Sequence, residues 1–225
     1  MAGTFTVRAA PSSRFRARRW NGWPVETEAG GGARPAVRIA SALLALLWAA
    51  AAQAAEVTVE ASRRDSAVEV RAHAEIDTPR EVVWGTLTDY NRLAEFIPGM
   101  RVSRVLEWNG AAATVEQLGE ARFLFLSFPI EVTVVSTARP PEAIDIRVLR
   151  GSLRRLDGGY RVRALGAGRI ALSWTGLIEP DLPLPPLLGE AVMRSVIEDQ
   201  FTGMVREIER REALRRGASP ERKDR

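Results

Sequence analysis

The chain has 225 residues, 46% of them hydrophobic, which allows one domain with a sizeable core plus flanking segments and excludes a multi-span membrane protein. Its net charge of +4 is unevenly placed: residues 1–54 hold seven Arg against two Glu, whereas residues 55–225 hold 25 Lys and Arg against 26 Asp and Glu. The basic excess is confined to the leader, so the rest implies no nucleic-acid surface.

Cysteine is absent, which excludes thiol catalysis, disulfides and Cys-ligated metals. His73 is the single histidine, so neither a His-rich metal site nor a His-based triad is expected. No cofactor is indicated.

Residues 39–52 (IASALLALLWAAAA) carry no charge and follow Arg38 directly. Ala52-Gln53-Ala54 comes next, an A-x-A cleavage pattern, and Glu56 begins a polar stretch. A basic start, a short apolar run and small exit residues describe a signal peptide over 37–54. The run falls short of the roughly 20 residues of a membrane span. A periplasmic or secreted product, cleaved near Ala54, is the expectation. Residues 1–36 lack periodicity and include Glu26 and Glu28, unlike a signal n-region. They read as an unstructured leader ahead of an alternative start at Val37. Arg18-Arg19 lies too far upstream of the apolar run to form a twin-arginine signal.

Residues 55–67 form the N-terminal segment of the mature chain, ahead of a domain over 68–212. Val68, Val70, Ala72, Ala74 and Ile76 alternate with polar residues, the period of a half-buried strand, with His73 on the solvent face. Thr78-Pro79-Arg80-Glu81 reads as a capping box with Pro at the first helical position. Val82, Val83, Trp84 and Leu87 supply that helix's apolar face. Asp89-Tyr90 opens a second short helix with Leu93, Phe96 and Ile97, stopped by Pro98-Gly99.

Met100–Trp108 reads as a strand ending in the hairpin turn Asn109-Gly110. Thr114–Glu120 and Phe123–Thr137 follow, the latter placing Leu124, Leu126, Phe128, Ile130, Val132 and Val134 on one face. After Pro140-Pro141 come Ile144–Arg150 and Leu153–Leu156. Gly158-Gly159 then separates Leu153–Leu156 from Tyr160–Leu165, and Arg169–Ile178 ends the run. Ile170, Leu172, Trp174, Gly176 and Ile178 face together in that last strand. The stretch PDLPLPP (180–186) is a stiff loop. A long helix over about 187–212 follows, with Met193, Ile197, Phe201, Met204 and Ile208 on one stripe. Arg194, Glu198, Asp199, Arg206, Glu207 and Arg210 point away from that stripe. A polar tail spans 213–225. An antiparallel sheet with one apolar face and one long helix to cover it is an α+β two-layer design.

Three stretches carry a family resemblance: Ile76–Trp84 (IDTPREVVW), Thr88–Met100 (TDYNRLAEFIPGM) and Gly151–Leu165 (GSLRRLDGGYRVRAL). The chain resembles the START-like helix-grip superfamily, in its coenzyme Q-binding and polyketide cyclase/dehydrase branch. The third stretch is similar to that branch's G-x-F-x-x-L-x-G-x-W-x-F run, with Leu153, Tyr160 and Val162 at the aromatic positions. The resemblance implies a curved antiparallel sheet wrapped around the C-terminal helix, two short helices after the first strand, and a cavity between sheet and helix. It implies a hydrophobic small molecule (a lipid, quinone or polyketide-like compound) as the partner.

The cavity residues expected on that basis are Trp84, Phe96, Leu126, Phe128, Tyr160, Val162, Leu172, Trp174, Met193, Ile197, Phe201 and Met204. Singly, each is also an ordinary core residue. Gly176 and Gly203 are read as leaving room, Met193 and Met204 as adaptable lining, and the 180–186 loop as the mouth. A carrier or sensor is the favoured function. A cyclase or dehydrase enzyme and a ligand-free protein-interaction module are the alternatives. Acid–base chemistry needs a proton donor or acceptor in the pocket. The apolar faces offer only Tyr160, with Glu116, Gln117, Arg122, Arg154 and Gln200 outside them. Arg206–Arg216 could contact anionic lipid at a membrane, but its alternating charge favours a solvated helix end. No feature points to a protein partner.

Overall fold

The computed structural model describes residues 55–124, 126–181 and 186–218. The expected leader and signal peptide (residues 1–54) and the end of the polar tail lie outside the described residues. Among the described residues no helix is long and apolar enough to cross a membrane.

Eight strands form one antiparallel sheet: β1 (Val57–Arg64), β2 (Ala67–Asp77), β3 (Met100–Asn109), β4 (Ala112–Phe123), β5 (Leu126–Arg139), β6 (Ala143–Gly151), β7 (Leu153–Gly166) and β8 (Arg169–Pro180). Their order across the sheet is β1-β2-β8-β7-β6-β5-β4-β3. Helix α1 (Arg80–Leu87) and a 3-10 turn (Tyr90–Glu95) link β2 to β3, and α2 (Pro186–Ala218) closes the chain. This is the helix-grip α+β fold. Alternation dictates the buried face: Ile170, Leu172, Trp174, Gly176 and Ile178 are all buried on β8, while His73 on β2 is exposed.

Several elements depart from the sequence reading. Residues 57–64 form β1, an edge strand paired with β2 from Val57↔Ala74 to Arg64↔Ala67. Its inward residues, Val57, Val59 and Ala61, are small and half-buried, so its apolar signal is weak. The capping box does not form. Pro79 takes the cap position with extended ψ, its carbonyl accepts from Val82 N, and Thr78 is buried one residue earlier. Leu124 leaves the apolar face of β5: it sits in the β4–β5 turn at φ +54 and is 81% exposed.

Gly158-Gly159 does not interrupt the chain but lies inside one continuous β7, paired to β6 and β8 at once. A Cβ on Gly158 would stand 2.6 Å from the Thr175 carbonyl oxygen, and one on Gly159 would collide with that of Ile144. The glycines permit this close approach of backbones. Together with bulges in the β3–β4, β5–β6 and β7–β8 pairings, they curve the sheet.

The long helix contacts β1, β2, α1 and β4. Phe201, Met204, Val205 and Ile208 on its inner face are almost fully buried. Such side chains contribute about 1.5–3 kcal/mol each on burial. The helix continues past Glu212 to Ala218. Glu207, expected to point away from the apolar stripe, is buried, as is Glu212.

Both carboxylates are satisfied by arginines. Glu207 accepts from Arg210 at 2.6 Å and from Arg211 at 2.7 Å, and Arg211 also donates to Asp89 at 2.8 Å. Glu212 accepts from Arg215 and Arg216, each at 2.6 Å, and Arg216 donates to the Asp77 carbonyl at 2.9 Å. The Arg211 guanidinium also lies 5.5 Å from the Phe96 ring centroid. Two carboxylate–arginine bridges therefore tie the C-terminal half of α2 to the segment between β2 and β3.

Hydrogen bonds from Arg210 to Glu207, and from Arg215 to Glu212, hold both carboxyls at about 2. A depressed pKa stabilises the folded state fully above the ordinary value of 4.5 and loses that stabilisation as pH falls towards 2. Urea denaturation of Glu207→Gln/Glu212→Gln against the parent should show a stability gap at neutral pH that closes between pH 4.5 and 2. A gap that does not vary with pH would mean the bridges contribute nothing through charge.

Candidate ligand-binding site

The sheet is wider than the face of one helix. α2 lies along β1 and β2 and touches β4, and a gap opens between it and the concave face of β4–β8. The gap is a cavity of about 190 Å³. Its floor comes from β4–β8, its roof from Met193, Val196, Ile197, Gln200, Phe201 and Met204 of α2, and one end from Leu87, Tyr90, Leu93 and Ile97.

Of the residues expected to line a cavity, Tyr160, Trp174, Met193, Ile197, Phe201 and Met204 do so. Tyr160 stacks on Phe201 with ring centroids 6.5 Å apart, joining floor to roof. Val162 and Leu172 are buried but belong to the solid core rather than the lining described here. Trp84, Phe96 and Phe128 are half-buried against the core and are likewise outside that lining. The side chain of Leu126 lies outside the described residues, as does most of the PDLPLPP loop expected at the mouth.

Two glycines divide differently from the expectation. A Cβ on Gly203 would stand 2.5 Å from Pro98 Cδ and 2.7 Å from the Phe96 carbonyl oxygen. Gly203 thus allows α2 to press on the Phe96–Pro98 segment and leaves no free space. Gly176 instead seats the indole of Trp174, which an added Cβ would strike. Of the polar candidates, Gln117 and Gln200 line the cavity. Glu116 pairs with Arg104 at 2.7 Å, and Arg154 with Asp181 at 2.6 Å.

Tyr90 and Ser136 line the cavity and were not anticipated. Tyr90 read only as the start of a short helix. Ser136 was legible by alternation, since it follows Val132 and Val134 on the inward face of β5. Tyr90 is fixed by Ser103, whose hydroxyl donates to its carbonyl at 2.6 Å, and by the Trp108 ring at 5.9 Å. Burial raises the Tyr90 phenol above its ordinary value, Ser136 alone opposing the shift. Among the described residues, Tyr90 Oη has no hydrogen-bond partner. Burial likewise raises the Tyr160 phenol well above the usual range. Glu120 is the one charged residue among the described lining, and it pairs with Arg122. The described residues hold no cluster of side chains placed to bind a metal ion.

A sequence model described as "Polyketide cyclase / dehydrase and lipid transport" matches residues 76–205, over half of the chain. The chain belongs to this family. No curated protein matches it in sequence. Among solved structures it is similar to the Zhui aromatase/cyclase of a Streptomyces species, at 18% identity and TM-score 0.57, over 68% of this chain and 97% of that one. It is similar to a STAR-related lipid transfer protein of Xanthomonas axonopodis, at 15% identity and TM-score 0.54, over 72% and 97%. Human STARD10 aligns at 9% identity and TM-score 0.55, over 78% and 81%. At these identities the likeness is one of fold, and the fold is START-like.

The two glycines give a paired test. Gly203→Leu should overpack α2 against Phe96 and Pro98 and lower stability by about 1–3 kcal/mol, leaving the affinity of the folded fraction for apolar probes unchanged. Gly176→Ala should push the indole into the cavity, weakening probe binding with a smaller loss of stability. Melting curves and titration with a fluorescent apolar probe separate the two. The reverse pattern would exchange their roles.

Proposed function

We propose that this chain is an exported carrier or sensor of a neutral apolar small molecule, held between α2 and strands β4–β8. The observation that carries the reading is the cavity itself, mostly apolar and with Glu120 as the sole charged residue of its described lining. Apolar pockets with a few placed polar groups are the usual form of small-molecule sites. The family description includes lipid transport, and the Xanthomonas relative is named for lipid transfer. At about 190 Å³ the cavity is smaller than the roughly 300–1,000 Å³ of sites enclosing drug-sized ligands. A compact ring system or short acyl chain suits it, and a larger lipid requires it to widen.

The lining favours a carrier over an acid–base enzyme. Such catalysis works best through a group that titrates near the working pH. The two phenols are displaced upward by burial and stay neutral, and the one carboxylate of the described lining, Glu120, is engaged by Arg122 and Ser127.

Export rests on Arg38, the uncharged run 39–52 and Ala52-Gln53-Ala54. A second feature supports it. The backbone nitrogen of Ala55 lies 2.7 Å from Glu209 Oε1. Cleavage after Ala54 would turn that amide into an ammonium facing a carboxylate, worth about 0.2–1 kcal/mol at a partly exposed site.

Native mass spectrometry of the protein expressed with its leader tests both parts. The expected product is periplasmic, begins at Ala55 and carries a small apolar molecule. A cytosolic chain that keeps its leader would contradict export. Empty protein that also fails to bind added apolar probes would contradict the carrier reading, and turnover of an added polyketide-like substrate would replace it with the enzyme.

A further inference from the structure

The cavity wall is apolar except at a few points, and those points differ in kind. Glu120 is bonded within the protein, to Arg122 and Ser127. Gln117 and Gln200 are half-buried. The phenols of Tyr90 and Tyr160 are the remaining polar groups. Tyr90 is 5% exposed, and its hydroxyl is the one buried side-chain polar atom without a hydrogen-bond partner among the described residues. Tyr160 is half-buried; its backbone is paired in the sheet and its carbonyl accepts from Arg161, while its ring stacks on Phe201. Its hydroxyl makes no hydrogen bond among the described residues.

A buried hydroxyl left without a partner is destabilising, and native proteins rarely keep one. Phenylalanine would fill the Tyr90 position at nearly equal volume without that penalty. Both phenols line the same cavity, and Ser136 lines it beside Tyr90. A neutral phenol donates one hydrogen bond, so what these side chains lack is an acceptor inside the cavity.

Building on the carrier reading, we infer that the ligand bears a neutral oxygen acceptor, such as a ketone, quinone or ester carbonyl, which takes the hydroxyl of Tyr90 or Tyr160. A pure hydrocarbon fills the same space but leaves both donors unmatched. An anion is disfavoured because the one charged residue of the described lining is a carboxylate. The apolar wall selects for shape and the phenols select for the carbonyl. A site built to hydrogen-bond a group rejects the analogue lacking it more strongly than it senses a missing methylene.

The test uses two probes of nearly equal shape, acetylnaphthalene and ethylnaphthalene, with the mature protein and its Tyr90→Phe, Tyr160→Phe and Ser136→Ala variants. The parent should prefer the ketone. At least one Phe variant should lose roughly five- to tenfold in ketone affinity, the size of one neutral hydrogen bond, with hydrocarbon affinity unchanged. Without ligand, Tyr90→Phe should melt no lower than the parent, because it removes an unpartnered hydroxyl. Should Tyr90→Phe fail to fold, Ser136→Ala, beside Tyr90, reports on that contact by weakening ketone binding alone. Equal affinity of the parent for both probes, or a ketone preference that survives in every variant, overturns the inference and leaves the carrier reading intact. Binding of neither probe by the parent overturns both.

Discussion

The structure depends on how one helix is held. The C-terminal half of α2 is fixed to the segment between β2 and β3 by two carboxylate–arginine bridges and by the close contact at Gly203. Glu207 reaches Asp89 through Arg211, and Glu212 reaches Asp77 through Arg216. Each buried carboxylate is held by two arginines, Glu207 by Arg210 and Arg211 and Glu212 by Arg215 and Arg216, and a carboxylate stripped of both would be a buried charge without compensation, which is strongly destabilising. Between the bridges and the sheet, Val205 and Ile208 are buried to within 1%. This end of the helix has little freedom.

From that anchor the rest follows. A helix set against β1 and β2 covers only part of an eight-stranded curved sheet, and β4–β8 are left facing a gap. The roof of the gap is the stretch of α2 from Met193 to Met204, in which Val196 and Ile197 are half-buried where Met193, Phe201 and Met204 are buried. Curvature comes from Gly158-Gly159 and the strand bulges, so the glycines shape the floor while the arginine bridges position the roof. Stability and ligand binding thereby fall on different halves of the same helix.

The layout was legible in the sequence where periodicity is strong. The alternation on β8, the Asn109-Gly110 turn, the stripe on α2 and the likeness of residues 76–100 and 151–165 led to the fold. The site was legible in part, because a face pattern tells which side chains point inward but not how far the opposite layer stands away. Tyr160 and Trp174 meet a gap, whereas Val162 and Leu172, each two residues further along the chain or back on the same inward faces, meet solid core. Gly203 misled for the same reason, since a helical glycine marks either space or close contact. Charge misled as well: Glu207 and Glu212 look like solvated helix residues until the arginines beside them are seen to carry them into the interior.

The division of α2 into an anchored half and a ligand-covering half is the central claim, and amide hydrogen exchange along the helix tests it most directly. Exchange reports local opening separately from global unfolding. With acetylnaphthalene bound, residues 188–200 should exchange more slowly than in the free protein, while residues 205–212 should be equally protected in both. Uniform protection along the whole helix, unaltered by ligand, would contradict the account.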